Sequence, residues 1–190
     1  MKDVHIRAAL KRKLKHRYGK DPSTRIVDEL ALRHGAARVD VAVINGMIHG
    51  FELKSDSDTL ERLPSQMRVY NSVLDRITLV VGHRHFEESI RLIPDWWGIK
   101  LAMPGARGGM RLVEIRRARN NPTQDILAVS KLLWREEAIT LLDELGEADC
   151  VRRKRRAIVY ERLVEVADCD LIRDRVRHQL RNRTNWRSAG

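Results

Sequence analysis

Apolar side chains at helical spacing open the chain: Ile6, Leu10 and Leu14 stand among Lys and Arg, which predicts a short basic amphipathic helix within the first twenty residues. Asp21-Pro22 then reads as the start of a second helix, with Asp21 as its cap, Pro22 in its first turn and Gly35 at its end. Asp28 and Glu29 fall inside that segment. From Ala37 to Lys54 the period changes to two, with Val39, Val41 and Val43 on one face of a first strand and Phe51 and Leu53 on one face of a second, joined at Asn45-Gly46. Helical spacing returns through Leu60, Leu63, Met67, Tyr70 and Leu74, with Pro64 delaying the regular helix. The apolar run from Arg76 to Gly82 fits a buried strand. A helix near Glu87 to Ile93, a strand near Ile99 to Met103, a Gly-rich turn over Gly105 to Gly109 and a strand to Ile115 complete the alternation.

This order predicts an α/β fold: a mixed central sheet flanked by helices over residues 1–120, followed by a helical, basic C-terminal extension over residues 121–190. Few apolar residues of the extension look necessary to the sheet. Trp96 and Trp97 are expected in the core, His83 and His85 at an exposed strand end, and Cys150 and Cys169 as buried free thiols.

The strands also carry candidate chemistry. Asp40 is followed at hairpin distance by Glu52-Leu53-Lys54. Two carboxylates can hold a divalent cation, and a lysine two residues along the same strand can stabilise charge developing on a phosphoryl group. Parity tests the grouping. A two-residue loop puts Asp40 and Glu52 on opposite faces, whereas an odd loop, such as a type I turn with Gly46 in a left-handed bulge position, brings Asp40, Glu52 and Lys54 together. The odd register also gathers Val39, Val41, Val43, Phe51 and Leu53 on one oily face, which favours it.

These residues resemble the PD-(D/E)XK nuclease superfamily over roughly residues 21–103. Ala-Arg-Val-Asp at 37–40, Gly-Phe-Glu-Leu-Lys-Ser at 50–55 and Leu-Pro-Ser-Gln-Met-Arg-Val-Tyr at 63–70 are most similar to a bacterial and phage branch and to the MmcB-like DNA-repair group. Val39 stands where the name-giving proline would be. The resemblance implies a restriction-endonuclease-like core, catalytic Asp40, Glu52, Lys54, Gln66 and Tyr70, a metal site of Glu29, Asp40 and Glu52 holding Mg²⁺ or Mn²⁺, and hydrolysis of DNA phosphodiester bonds. Asp28 competes with Glu29 for the role of helix acid. Glu-x-Lys alone recurs on ordinary strand faces, so the weight rests on the ensemble.

Charge adds a partner. Of the net +11, residues 1–20 hold eight Lys or Arg against one Asp, and residues 146–190 hold twelve against seven acids. Basic ends suit a polyanion, DNA in preference to RNA, with Arg152, Arg153, Lys154, Arg155 and Arg156 expected at phosphates and Arg177, Arg181 and Arg183 next. The alternative is a non-catalytic nucleic-acid-binding module on the same fold, or basic helices docked on an acidic protein. No apolar run approaches the ~20 residues of a bilayer helix. No secretory signal is visible at the N-terminus, so a cytoplasmic protein is expected.

Overall fold

A computed structural model describes residues 2–105 and 109–183, apart from the side chain of His34. The tip of the expected Gly-rich turn, residues 106–108, lies outside the described residues. Six strands form one mixed sheet in the order β1-β2-β3-β4-β5-β6: Arg25–Leu32, Ala37–Ile44, Ile48–Lys54, Arg76–Val81, Gly98–Pro104 and Met110–Arg116. β3, β4 and β5 run parallel to one another, while β1, β2 and β6 join by antiparallel pairing.

Helix α1 (Asp3–Tyr18) forms as the spacing predicts, and buries Ile6, Ala9, Leu10 and Leu14. These pack on Val41, Val43, Phe51 and Leu53. Val39, expected on the same face, is buried on the opposite one with Leu30, Ala42 and Tyr70, because the β1–β2 ladder is interrupted at Glu29 and Asp40 and the alternation of β2 slips there by one residue. The opposite face carries α2 (Leu63–Val73), with Pro64 in its first turn. Gly50 lets α2 close on the sheet, because a Cβ there would lie 2.6 Å from Leu74 Cδ1 and 3.1 Å from Val39 Cγ2.

The expected helix between Asp21 and Gly35 is a strand. In β1 the buried positions are Val27, Leu30 and Leu32, and the step of three between the first two imitates a helix. Its cause is Glu29, held at φ 55°, which lets two consecutive side chains, Asp28 and Glu29, face outward before alternation resumes. Such a conformation costs a non-glycine residue about 1–3 kcal/mol. Asp21 caps a turn instead, accepting from the N–H and hydroxyl of Ser23 and from the hydroxyl of Thr24. Gly35, at φ 92°, closes a 3₁₀ turn between β1 and β2.

Helices α3 (Phe86–Leu92), α4 (Ile126–Ser130), α5 (Arg135–Glu144), α6 (Arg156–Val166) and α7 (Cys169–Asn182) complete the fold. The C-terminal helices are integral to the core. Val159, Tyr160, Leu163, Ile172, Val176 and Leu180 are buried in the same cluster as Leu30, Ile48, Tyr70 and Leu79 of the sheet and α2. Trp96 and Trp97 are buried as expected, with Trp97 Nε1 donating to Asn71 Oδ1 at 2.9 Å. His83 is exposed, but His85 is buried with Nε2 2.8 Å from the Asp58 carbonyl. Both cysteines are exposed free thiols, Cys150 in the turn between α5 and α6 and Cys169 in the first turn of α7, outside its buried stripe. Among the described residues no helix is long and apolar enough to cross a membrane.

Candidate functional site

The β2–β3 loop is odd. Ile44 pairs with Ile48 and Val41 with Phe51, so three residues, Asn45 to Met47, make the turn. Asn45 closes it, its N–H donating to the Met47 carbonyl and its side-chain oxygen accepting from the Met47 N–H. Gly46 lies outside the positive-φ region, unlike the expected bulge, since Asn45 supplies the closure.

The paired backbone ends at Val41 and Phe51, and there Asp40 takes over the role of a strand carbonyl. Its Oδ2 accepts the Leu53 N–H at 2.8 Å. Its Oδ1 accepts from Arg7 Nη2 at 2.7 Å, and Arg7 Nη1 reaches the Asp40 carbonyl at 3.0 Å. The same guanidinium lies 3.1 Å from Glu29 Oε1 and 3.3 Å from Asp3 Oδ2. Arg7 thus ties α1 to acids of β1 and β2. Burial alone would lower its pKa, but the Asp40 and Asp3 carboxylates together outweigh that and hold it above the ordinary arginine value. Asp28 pairs with Lys11 rather than entering this cluster.

Glu52 and Lys54 point toward α2, and both are buried. Glu52 Oε1 lies 3.0 Å from Lys54 Nζ and accepts from Gln66 Nε2 at 2.8 Å. Its Oε2 accepts from the Tyr70 hydroxyl at 2.7 Å. Lys54 also donates to Gln66 Oε1 at 3.1 Å, and the Tyr70 hydroxyl lies 2.8 Å from the Arg38 carbonyl. Burial raises the pKa of Glu52, helped by the nearby charge of Asp40 and opposed by Lys54 and Tyr70. Burial, then the Glu52 charge, pushes the Tyr70 phenol well above its usual range.

The structure therefore brings Glu52, Lys54, Gln66 and Tyr70 together, with Asp40 within electrostatic reach. Glu29 joins only through Arg7, and from a strand rather than a helix. Sequence reasoning missed Arg7. Its one local sign is the i,i+4 spacing from Asp3 beside the apolar stripe of α1, and this says nothing about acids across the sheet.

A divalent cation at Glu29, Asp40 and Glu52 would meet carboxylates already engaged by Arg7, Lys54, Gln66, Tyr70 and the Leu53 N–H. Among the described residues no three His, Cys, Asp or Glu side chains converge as metal ligands. As arranged, these groups do not fit the expected Mg²⁺ or Mn²⁺. The arrangement is a closed charge network that fastens α1 to β2 and α2 to β3.

The side chains expected at phosphates divide in two. Arg153, Lys154 and Arg155 face solvent. Arg152 pairs with Asp143 and Asp149, and Arg156 lies over the Tyr160 ring. Arg177 bridges Asp75 and Asp174, Arg181 donates to the Ser23 carbonyl, and Arg183 pairs with Glu137 beneath the Trp134 ring. These last three pin α7 to the rest of the molecule.

Fold and site together define a mixed α/β protein whose most acidic sites are internally neutralised. A family model described as Bacteriophage P4 protein cII matches residues 1–189, and the chain belongs to that family. Protein cII of Enterobacteria phage P4 is 25% identical over 121 residues, which cover 64% of this chain and 46% of that protein. The chain thus spans less than half the length of this relative. No solved structure matches. Membership overturns the resemblance to PD-(D/E)XK nucleases and to the MmcB-like group, and with it the expectations of a deoxyribonuclease, of a hydrolase and of a DNA-repair role. The residues that carried the resemblance make a local strand-turn-strand and helix pattern, and such a pattern does not imply a function.

Proposed function

We propose that this protein binds double-stranded DNA through the phosphate backbone. The observation that carries the reading is the cation excess, 37 Lys and Arg against 26 acids. Several acids are moreover spent on internal ion pairs, Asp40 and Glu29 on Arg7 and Glu52 on Lys54. Surface cations such as Arg12, Lys15, Arg153 and Arg155 remain exposed. Each phosphate neutralised by such a side chain releases condensed counterions, so affinity rises steeply as salt falls. DNA as the partner agrees with a cytoplasmic setting.

The test is fluorescence anisotropy of a labelled duplex of about 20 base pairs, two helical turns, titrated with the full chain. Saturable binding is expected, with log affinity falling linearly against log salt between about 50 and 200 mM. Failure to bind at the lowest salt would sink the reading.

A further inference from the structure

The two basic regions of the chain lie on opposite faces of the sheet. α1 packs over β3 and β6 on one side, whereas α4, α6 and α7 share the other side with α2. A duplex lying across one face does not reach the other, so the DNA-binding reading requires a choice.

We infer that the duplex lies on the α1 side, at the end of the sheet where the parallel strands begin, held by Lys13, Arg17, Arg76 and Arg117, with Lys100 beneath them neutralising Glu114. This rests on the proposed DNA binding and gives it a surface. The register brings these side chains to one end. Arg76 pairs with His49 at the start of β4 and β3, Lys100 pairs with Glu114 across β5 and β6, and Arg117 directly follows the last residue of β6, Arg116, which pairs with Ile99. Lys13 and Arg17, four residues apart in the second half of α1, share a helix face above them.

Two titratable groups in their midst agree with that placement. His49 is destabilised as a cation by burial and then by Arg76, Lys100 and Arg17. The Glu114 carboxylate is favoured by Lys100, by Lys13 and by Arg117. Five cations drawn from α1, β4, β5 and the end of β6 therefore surround one carboxylate and one neutral imidazole.

Internal bonding leaves much of that charge available. Glu114 is matched by Lys100 at 2.6 Å. Arg76 uses its Nε on Asn120 Oδ1 and Lys13 reaches the Leu112 carbonyl at 3.4 Å, and neither partner carries charge. Arg17 and Arg117 are exposed, and Arg17 lies over the Tyr18 ring, which orients it without neutralising it. On the other face Arg177 and Arg183 are each spent on a carboxylate, and Arg153, Lys154 and Arg155 are the exposed cations against which the α1 surface has to be tested.

An anisotropy titration of the same duplex also decides between the surfaces. In the full chain, Arg17→Ala with Arg117→Ala should lower the salt slope by about 2, near one for each phosphate no longer neutralised, and weaken binding at least tenfold at about 100 mM salt. Arg17→Lys with Arg117→Lys keeps both charges and should restore the wild-type slope, which separates charge from folding; a slope as low as that of the alanine pair would overturn the proposal. Arg153→Ala with Lys154→Ala and Arg155→Ala should leave the slope unchanged. Wild-type binding by the alanine pair, or a diminished slope in the triple variant alone, would move the duplex to the other face and overturn the proposal. Absence of binding by the wild type would instead strike the DNA reading itself.

Discussion

Arg7 grips Asp40 twice, with Nη2 2.7 Å from the Oδ1 of its carboxylate and Nη1 3.0 Å from its backbone carbonyl. Through that grip α1 is joined by charge, as well as by its apolar stripe, to the strand that begins the central hairpin.

Arg7→Ala should lower unfolding stability by about 1–3 kcal/mol, because it leaves the part-buried Asp40 carboxylate with only the Leu53 N–H and removes the cation between Asp3 and Glu29. Urea denaturation measures it. A double-mutant cycle with Asp40→Asn should show coupling of at least about 0.5 kcal/mol, whereas additive losses would mean the pair is incidental.

Glu52→Gln should alter how stability depends on pH. Burial raises this carboxyl's folded pKa above its ordinary 4.5, so the native chain holds a proton that the unfolded chain has already released. Its contribution is therefore full below the unfolded value and is lost as pH rises through the folded one. The substitution should flatten that fall above the ordinary carboxyl value of 4.5, read from urea midpoints. An unchanged profile would contradict the burial argument.

His49 acts with the opposite sign. Burial, then Arg76, Lys100 and Arg17, lowers its pKa from 6.5 to about 3, and its Nε2 lies 2.8 Å from Thr78 Oγ1. The unfolded chain takes up the proton first, so this group's contribution is present above about pH 6.5 and is lost as pH falls toward 3. His49→Gln should make acid unfolding shallower across that window, measured by circular dichroism.

Truncation after Gly146 should remove cooperative folding. It deletes six core side chains from Val159 to Leu180, each contributing about 1.5–3 kcal/mol by burial, together comparable with the 5–15 kcal/mol of a typical domain. A sharp thermal transition in the truncated chain would show that the sheet stands without α6 and α7.

Periodicity in the sequence by itself determined the basic helix α1, the alternation of the β2–β3 hairpin from Val41 onward with its odd turn, the buried strand β4 and the helix bearing Gln66 and Tyr70, while Val39 fell on the opposite face. Each depends on which side chains of one segment face the core, and a short window carries that information. β1 escaped because Asp21, Pro22 and Gly35 imitated helix ends, while Glu29 at φ 55° breaks the alternation that would have argued for a strand, and a backbone outlier leaves no mark in composition. Tertiary structure alone decided that Arg7 would cross from α1 to Asp40, that Arg177 and Arg183 would be spent on carboxylates, and that the C-terminal helices would share the sheet's core. These are pairings between segments far apart in the chain, 102 residues for Arg177 and Asp75 and 158 for Arg181 and Ser23. A charge or an apolar stripe announces that it needs a partner, but only the packing of whole elements selects which one.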